Sequence, residues 1–399
     1  MQLNLTRLAM LGLIFAALAL ASLASAGAAG TKADNWPQFR GVHAGVAADD
    51  PALPDTWSGS ENIVWKIDVP GRGWSSPIVW GDHIFITAAV NTKEAEEALK
   101  PVPAYTPRSF GGPMSGRDIG SSSDPHRWVV YDVDFKTGAI RWERTVRTAV
   151  PAESKHQKNS YASETPVTDG ERVYAYFGNA GLFAFDLSGT PVWSKPMGPF
   201  KVRTGWGSAG SPIVHKDRVY IVNDNEEQSF IAAYDARTGA EAWRVNRDEG
   251  SNWTTPFVWE NARRTEIVTT GTGKVRSYDL NGKLLWTLTG MSIIQIPTPL
   301  AAHGLLYISS GYPADQLRPV YAIRPGASGD ISLKPGETTV SCPHGVYQTP
   351  SRGNPAREDR MQHPHLDAAP CQGGRPLPHG RGTDRGGFDR ADWYHGYHL

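Results

Sequence analysis

One short stretch constrains this chain more than any other, because it recurs: Tyr234-Asp235-Ala236-Arg237-Thr238-Gly239-Ala240-Glu241-Ala242-Trp243. Val133-Asp134-Phe135-Lys136-Thr137-Gly138-Ala139-Ile140-Arg141-Trp142 repeats it upstream, and shorter copies run Phe185-Asp186 to Trp193 and Tyr278-Asp279 to Trp286. The frame is an apolar residue, Asp, a turn closed by Gly, and Trp four residues after that Gly. The glycines are 138, 189, 239 and 282, at steps of 51, 50 and 43 residues. Such a period marks a propeller or solenoid array. A lone hairpin with a core Trp would explain one copy, but not four.

The chemistry of the unit is local. Asp bonds the backbone of the turn it opens, and Gly takes the positive φ that a tight hairpin demands. The flanking segments then pair as antiparallel strands, here Phe230–Tyr234 and Ala242–Val245. One Trp per unit implies a ring packed between neighbouring units, where truncation costs ~3–5 kcal/mol.

A second signature, Ser/Thr-Pro before an apolar residue, opens each unit: Ser76-Pro77, Thr165-Pro166, Ser211-Pro212, Thr255-Pro256 and Thr298-Pro299. The prolines step by 89, 46, 44 and 43. Pro suits the first position of a strand, where no ladder bond is lost. A turn and a short apolar strand follow each, as in Lys216-Asp217-Arg218-Val219-Tyr220-Ile221. Adding the hairpin gives four strands per unit, and five sheets are visible, the last partial. The long first step holds an insertion at about 91–127, read as a surface loop. Asn62-Ile63-Val64-Trp65-Lys66-Ile67-Asp68-Val69 reads as a solitary strand without a hairpin partner, a candidate to complete the last unit of a ring.

The termini differ from the array. Residues 1–26 carry Arg7, an apolar run from Leu8 to Leu23, and the small-residue site Ala24-Ser25-Ala26. This reads as a secretory signal peptide, with an uncleaved anchor as the alternative. After cleavage no membrane span is expected, and the mature chain is expected to be periplasmic or secreted. Residues 27–61 read as a linker. In 334–399 there are 10 Gly, 8 Pro and six of the 12 His but only two Val and no Ile, a composition that cannot support a core. This tail of low order reads either as out of frame or truncated from about Thr339, or as an authentic disordered tail.

With 40 basic and 40 acidic side chains in 399 residues, the chain offers no electrostatic footprint for nucleic acid. Its Ser/Thr-Pro openings and Asp-x-x-Thr-Gly-x-x-x-Trp hairpins resemble the PQQ-like (pyrroloquinoline-quinone-type) β-propeller family over about 62–333. Local wording, in Tyr161-Ala162-Ser163-Glu164-Thr165-Pro166, Asn223–Phe230 and Gly326–Ile331, is similar to its BamB-like exported members. The resemblance implies an all-β propeller of four-stranded antiparallel blades. Family rings have seven or eight blades, so five recognisable ones imply an incomplete ring. It also implies either a non-catalytic protein-interaction scaffold of the cell envelope, whose partners are other envelope proteins or a polymer, or a PQQ/Ca-dependent dehydrogenase.

No residue takes a catalytic role from sequence, no cofactor-binding residue is assigned, and neither a metal site nor a cofactor is expected. The quinone enzymes of the family need oxygen ligands for Ca²⁺, an Asp base and often adjacent cysteines. Cys342 and Cys371 are not adjacent, though outside the cytoplasm they could pair. The runs Asp224-Asn225-Glu226-Glu227 and Arg247-Asp248-Glu249 read as solvated loops before they read as ligand sites. His126, His156 and Glu164 are a set that loops on one propeller face could gather. His363, His365 and Cys371 lack tetrahedral spacing, and Gly271-Thr272-Gly273-Lys274 lacks phosphate-loop spacing. Trp74, Trp206 and Trp253, just before three strand openings, read as packing before they read as a partner surface.

Overall fold

The computed structural model describes residues 35–334, apart from 48–49, 52, 94–118, 121, 157 and 313–316, together with 346–348. All of these lie in one compact unit, residues 1–353, and the account concerns that unit alone. The signal peptide, Cys342, Cys371, His363 and His365 lie outside the described residues.

The chain builds sheets in sequence order. β1 (Ile78–Trp80), β2 (His83–Asn91), the two-residue β3 (Ile119–Gly120), β4 (His126–Asp134), β5 (Ile140–Ala149) and β6 (Lys155–His156) come first. Sheet one has the order β1-β2-β4-β5, and the insertion between β2 and β4 contributes β3, which pairs with β6. Sheet two is β7 (Val167–Thr168), β8 (Arg172–Tyr176), β9 (Leu182–Asp186) and β10 (Pro191–Lys195). Sheet three is β11 (Ile213–His215), β12 (Arg218–Asn223), β13 (Ser229–Asp235) and β14 (Glu241–Arg247). Sheet four is β15 (Phe257–Glu260), β16 (Thr265–Gly271), β17 (Lys274–Tyr278) and β18 (Leu284–Thr289). Sheet five contains β19 (Leu300–Ala302), β20 (Leu305–Ser309) and β21 (Val320–Ile323). β22 (Gly329–Asp330) returns to pair with β18, and β23 (Val346–Gln348) becomes the fourth strand of sheet five. That fourth strand comes from beyond the point where the repeat signature stops.

Burial on both faces explains why the middle strands are apolar at nearly every position. In β12, Val219 and Ile221 join the core shared with sheet two, while Tyr220 and Val222 join the core shared with sheet four. β13 divides in the same way: Phe230, Ala232 and Tyr234 on one face, Ile231 and Ala233 on the other. Each consecutive pair of sheets therefore encloses its own core, the pattern of a stacked repeat. First strands of adjacent sheets also touch, β1 with β7, β7 with β11 and β11 with β15.

Both repeated signatures act as latches between sheets. Ser76 N donates to Thr165 Oγ1 (3.0 Å), Thr165 N to Ser211 Oγ (3.0 Å), and Ser211 N to Thr255 Oγ1 (3.1 Å). The hydroxyls of Thr165, Ser211 and Thr255, each just before a Pro, are thus acceptors for the preceding sheet. On the hairpin side, Trp142 Nε1 donates to Leu187 O (3.0 Å), Trp193 Nε1 to Ala236 O (2.9 Å) and Trp243 Nε1 to Leu280 O (2.9 Å). Each indole lies flat on the turn glycine of the next sheet, Gly189, Gly239 or Gly282. Asp235 closes its turn by accepting from Thr238 N (2.7 Å) and Thr238 Oγ1 (2.7 Å), bonds that hold its carboxyl below the ordinary value.

Two expectations meet a different arrangement. Trp286 turns into its own sheet and donates to Glu266 Oε2 (2.7 Å), because the turn after β21 lacks the Asp-to-Gly form and its Ala327 carbonyl is taken by Arg264 Nη2 (2.5 Å). Among the described residues the segment 62–69 joins no sheet. It runs extended along sheet one, with Trp65, Ile67 and Val69 half-buried and Val64, Lys66 and Asp68 exposed. Its indole docks as the hairpin indoles do, donating to Phe135 O (2.9 Å) over Gly138.

Candidate functional site

The loops at the end of the sheets where β5, β8 and β12 finish gather a polar groove. One small pocket, about 30 Å³ in volume, is lined by Trp128, Glu153, Tyr161, Glu164, Phe177 and Asn179 among others. A second, about 20 Å³, continues past Tyr176, Asn223 and Asp224. The two share Glu153, Asn179 and Ser208. Glu153 follows β5, Asn179 sits in the 3-10 turn Gly178–Ala180, and Glu164 and Ser208 precede the Thr165-Pro166 and Ser211-Pro212 openings. The opening motif that starts each inner strand therefore also delivers side chains to the groove.

Two carboxyl groups dominate its electrostatics. Glu164 is buried, and Ser208 Oγ donates to its Oε1 at 2.5 Å. Burial raises it from 4.5 to about 7 against the Ser208 bond. Glu153 is raised from 4.5 to about 8, first by burial and then by Glu164, with Asn179 opposing. Its Oε2 is buried without a hydrogen-bond partner, as is the hydroxyl of Tyr161. Gly178 makes the approach possible: a Cβ there would stand 2.1 Å from Ser208 Oγ. Asn179 is held by the backbone of Phe200, receiving its N–H at 2.9 Å and donating to its carbonyl at 3.0 Å. The groove offers half-buried acid groups beside aromatic walls, a setting that favours a cationic or hydrogen-bond-donating guest.

This donor set does not fit a hard cation such as Ca²⁺. Burial favours the neutral acid at both glutamates, and the Asn179 amide oxygen is already an acceptor. Among the described residues, no three His, Cys, Asp or Glu side chains converge on one point as metal ligands.

The expected trio separates. Glu164 lines the groove; His126 and His156 line neither pocket. His126 is packed edge-on against Tyr161 (5.1 Å between centroids), its Nδ1 bonded to Asp124 O at 2.9 Å, and His156 packs on Trp206 (5.7 Å). Trp206 and Trp253 pack with centroids 5.6 Å apart and rings tilted by 40°, and Trp253 Nε1 donates to Gly207 O at 2.6 Å, so these two half-buried rings pack between sheets. Trp74 is half exposed.

The acidic runs, read from sequence as solvated, divide: Glu226, Glu227 and Asp248 are exposed, whereas Asp224 and Asn225 are buried, as are Arg247 and the carboxyl group of Glu249. Arg247 holds Asp224 through Nε (2.8 Å) and Nη2 (3.0 Å), with Nη1 on Thr269 Oγ1 at 2.6 Å. Glu249 joins the pair from the same sheet, and Arg276 bonds Glu249 and Asp248 from sheet four. Burial opposes the charge of Arg247, but Asp224, Tyr278 and Glu249 outweigh it and hold the guanidinium protonated. Asn225 caps its own turn, accepting from Glu227 N and Gln228 N, each at 2.8 Å. These residues clamp sheet three to sheet four.

Four-stranded antiparallel sheets, latched to one another by hydroxyls and by indoles, define a repeat protein built from the blades of a β-propeller. Residues 126–313 match the family model described as outer membrane protein assembly factor BamB. No curated protein matches the chain. Among solved structures, BamB from Moraxella catarrhalis is 16% identical, with 51% of this chain and 56% of that chain covered at a TM-score of 0.33. A europium-containing methanol dehydrogenase is 12% identical over 66% of this chain and 49% of that one, at 0.39. Quinohemoprotein alcohol dehydrogenase from Comamonas testosteroni is 13% identical, covering 63% and 40%, at 0.37. The chain spans about half the length of the first two, 56% and 49%.

Proposed function

We propose that this protein is a non-catalytic, BamB-like interaction scaffold of the cell envelope, exported through its amino-terminal apolar segment. The observation that carries this reading is the groove: a fixed trough in which Glu153 Oε2 and the Tyr161 hydroxyl stand buried and unbonded beside Trp128 and Phe177. A basic or amide-rich segment of an envelope protein, or a polymer carrying such groups, would satisfy those atoms. The sheet-to-sheet latches support the role, because they hold the groove open without a guest. The match of 126–313 to the BamB family model supports it as well.

Capture from envelope extracts tests the proposal, with the intact chain and Glu153→Gln as paired baits. A partner retained by the first and reduced with the second is expected. Retrieval of nothing by either bait sinks the scaffold reading. Tight uptake of PQQ with Ca²⁺ in calorimetry, followed by dye-linked alcohol oxidation, would replace it with a quinoprotein dehydrogenase.

A further inference from the structure

The groove contains a feature that packing does not account for. Glu153 Oε2 and the Tyr161 hydroxyl are each shut off from solvent without a hydrogen-bond partner, and both residues line the same pocket. Buried polar atoms are almost always paired, so two orphans around one cavity mark a place for a donor. Glu164 lines that cavity as well, and its carboxyl, already receiving Ser208 Oγ, has further lone pairs to offer. Burial acts first on Glu153 and Tyr161, but Glu164 also raises Glu153 and Glu153 also raises Tyr161, as groups that stand close together must.

Size and shape select the donor. At about 30 Å³ the pocket has room for about two water molecules. That suits the compact head of an ammonium, three donors on a thin stem, and excludes the broad planar fork of a guanidinium. A carboxamide brings an oxygen too, which would face the carboxyl groups. Trp128, Tyr161 and Phe177 wall the cavity, and aromatic faces attract a cation. Two basic groups stand near, and neither reaches Glu153 Oε2: Arg147 Nη1 approaches the Asn179 and Ala180 carbonyls (3.5 and 3.4 Å), and Lys155 Nζ lies 5.7 Å from the centre of the Tyr161 ring. Of the other titratable neighbours, His126 packs edge-on against Tyr161, the Tyr176 hydroxyl receives Asn223 Nδ2 (2.8 Å), and Asp224 is held by Arg247.

We propose that this pocket is a socket for one primary ammonium group, the head of a lysine side chain on the bound partner, held by Glu153, Glu164 and the Tyr161 hydroxyl. The inference rests on the groove being the docking surface and narrows what docks there. Docking is then linked to protons. Burial holds Glu153 up at about 8 and Glu164 at about 7, so at pH 6.5 the empty socket is mostly protonated. An ammonium binds the ionised form. Each docking event therefore sends carboxyl protons to solvent, and affinity rises toward pH 8.5, still below the ammonium's own pKa of about 10.4.

Calorimetry on the intact chain with acetyl-Gly-Lys-Gly-amide, and with Arg or Gln in place of Lys, tests the socket. The lysine peptide is expected to bind about tenfold more tightly than either of the others and to gain about tenfold between pH 6.5 and pH 8.5. Its heat at one pH should differ between phosphate and Tris by the protons released. Glu153→Gln imitates the protonated acid, and circular dichroism checks that its fold is kept. It should weaken the lysine peptide about tenfold and flatten the pH dependence, which titration of His126 would not lose. Arginine or glutamine peptide bound as tightly as lysine, an affinity indifferent to pH, or an unchanged Glu153→Gln protein each overturns the socket, and so does the absence of binding by all three. Any of these results beside an envelope protein captured by the intact chain overturns the socket alone, whereas an empty capture sinks the scaffold reading whatever the peptides do.

Discussion

The indole of Trp193 lies so close over Gly239 of the next sheet that a methyl group on that glycine would stand 2.6 Å from Cδ2. Gly239 also has φ +69°, which only glycine adopts without strain. One residue therefore serves its own turn and its neighbour's packing. Gly239→Ala is expected to lower stability by about 2 kcal/mol or more. Trp193→Ala should lower it by about 3–5 kcal/mol. Urea midpoints for the two variants check this, and a Gly239→Ala protein as stable as the parent would contradict the dock.

Thr165 is both a link and a receiver in the hydroxyl ladder, giving its N–H to Ser211 and taking that of Ser76. Thr165→Val keeps the shape but leaves the Ser76 N–H without its acceptor, an expected loss of roughly 1–3 kcal/mol. Thr165→Ser keeps the hydroxyl and should cost less. Equal losses for the two would show that the methyl group, not the hydroxyl, matters.

Arg247 neutralises two carboxylates in a place water does not reach, its side chain only 1% exposed. Arg247→Met strands Asp224 as buried charge, while Glu249 keeps Arg276, and a loss of about 3–5 kcal/mol is expected. Acidification should narrow the gap between variant and parent, because protonation relieves Asp224. Denaturation at two pH values measures this, and a gap that does not narrow counts against the clamp.

The groove makes stability depend on pH in the opposite sense to most carboxylates. Glu153 and Glu164 titrate at about 8 and about 7 in the folded chain against 4.5 when unfolded. Their folded-state protons are stabilising in full below pH 4.5, and that stability is lost as pH rises through 7 to 8. Glu164→Gln removes the ionisation of Glu164. Relative to the parent it should therefore gain on the order of 1–3 kcal/mol between pH 5 and pH 8.5. Parallel stability profiles for the two proteins across that range would refute the assignment.

Where chemistry was periodic, the sequence was readable. The Asp–Gly–Trp frame located β13, β14 and their counterparts, and the Ser/Thr-Pro frame located the inner strands, because each frame performs one physical task at every repeat. What escaped notice is aperiodic or depends on a neighbour. Glu164 and Ser208 belong to different repeats and meet only because Gly178 leaves room. The Asp224–Arg247 clamp looked like solvated acid because its counter-charges come from two sheets. Trp286 carries the frame in full yet turns inward, since its docking partner is supplied by a segment whose own frame has lapsed.

From sheet one to sheet four the inner ladder points one way along the chain, Ser76, Thr165 and Ser211 each handing an N–H forward to a hydroxyl in the following sheet. A chain so wired has a grammar. Whole sheets can be gained or lost between openings while donor still meets acceptor, whereas half a sheet, or one begun by alanine, would break the sentence. Lengths in proteins of this design should therefore change in quanta of one unit.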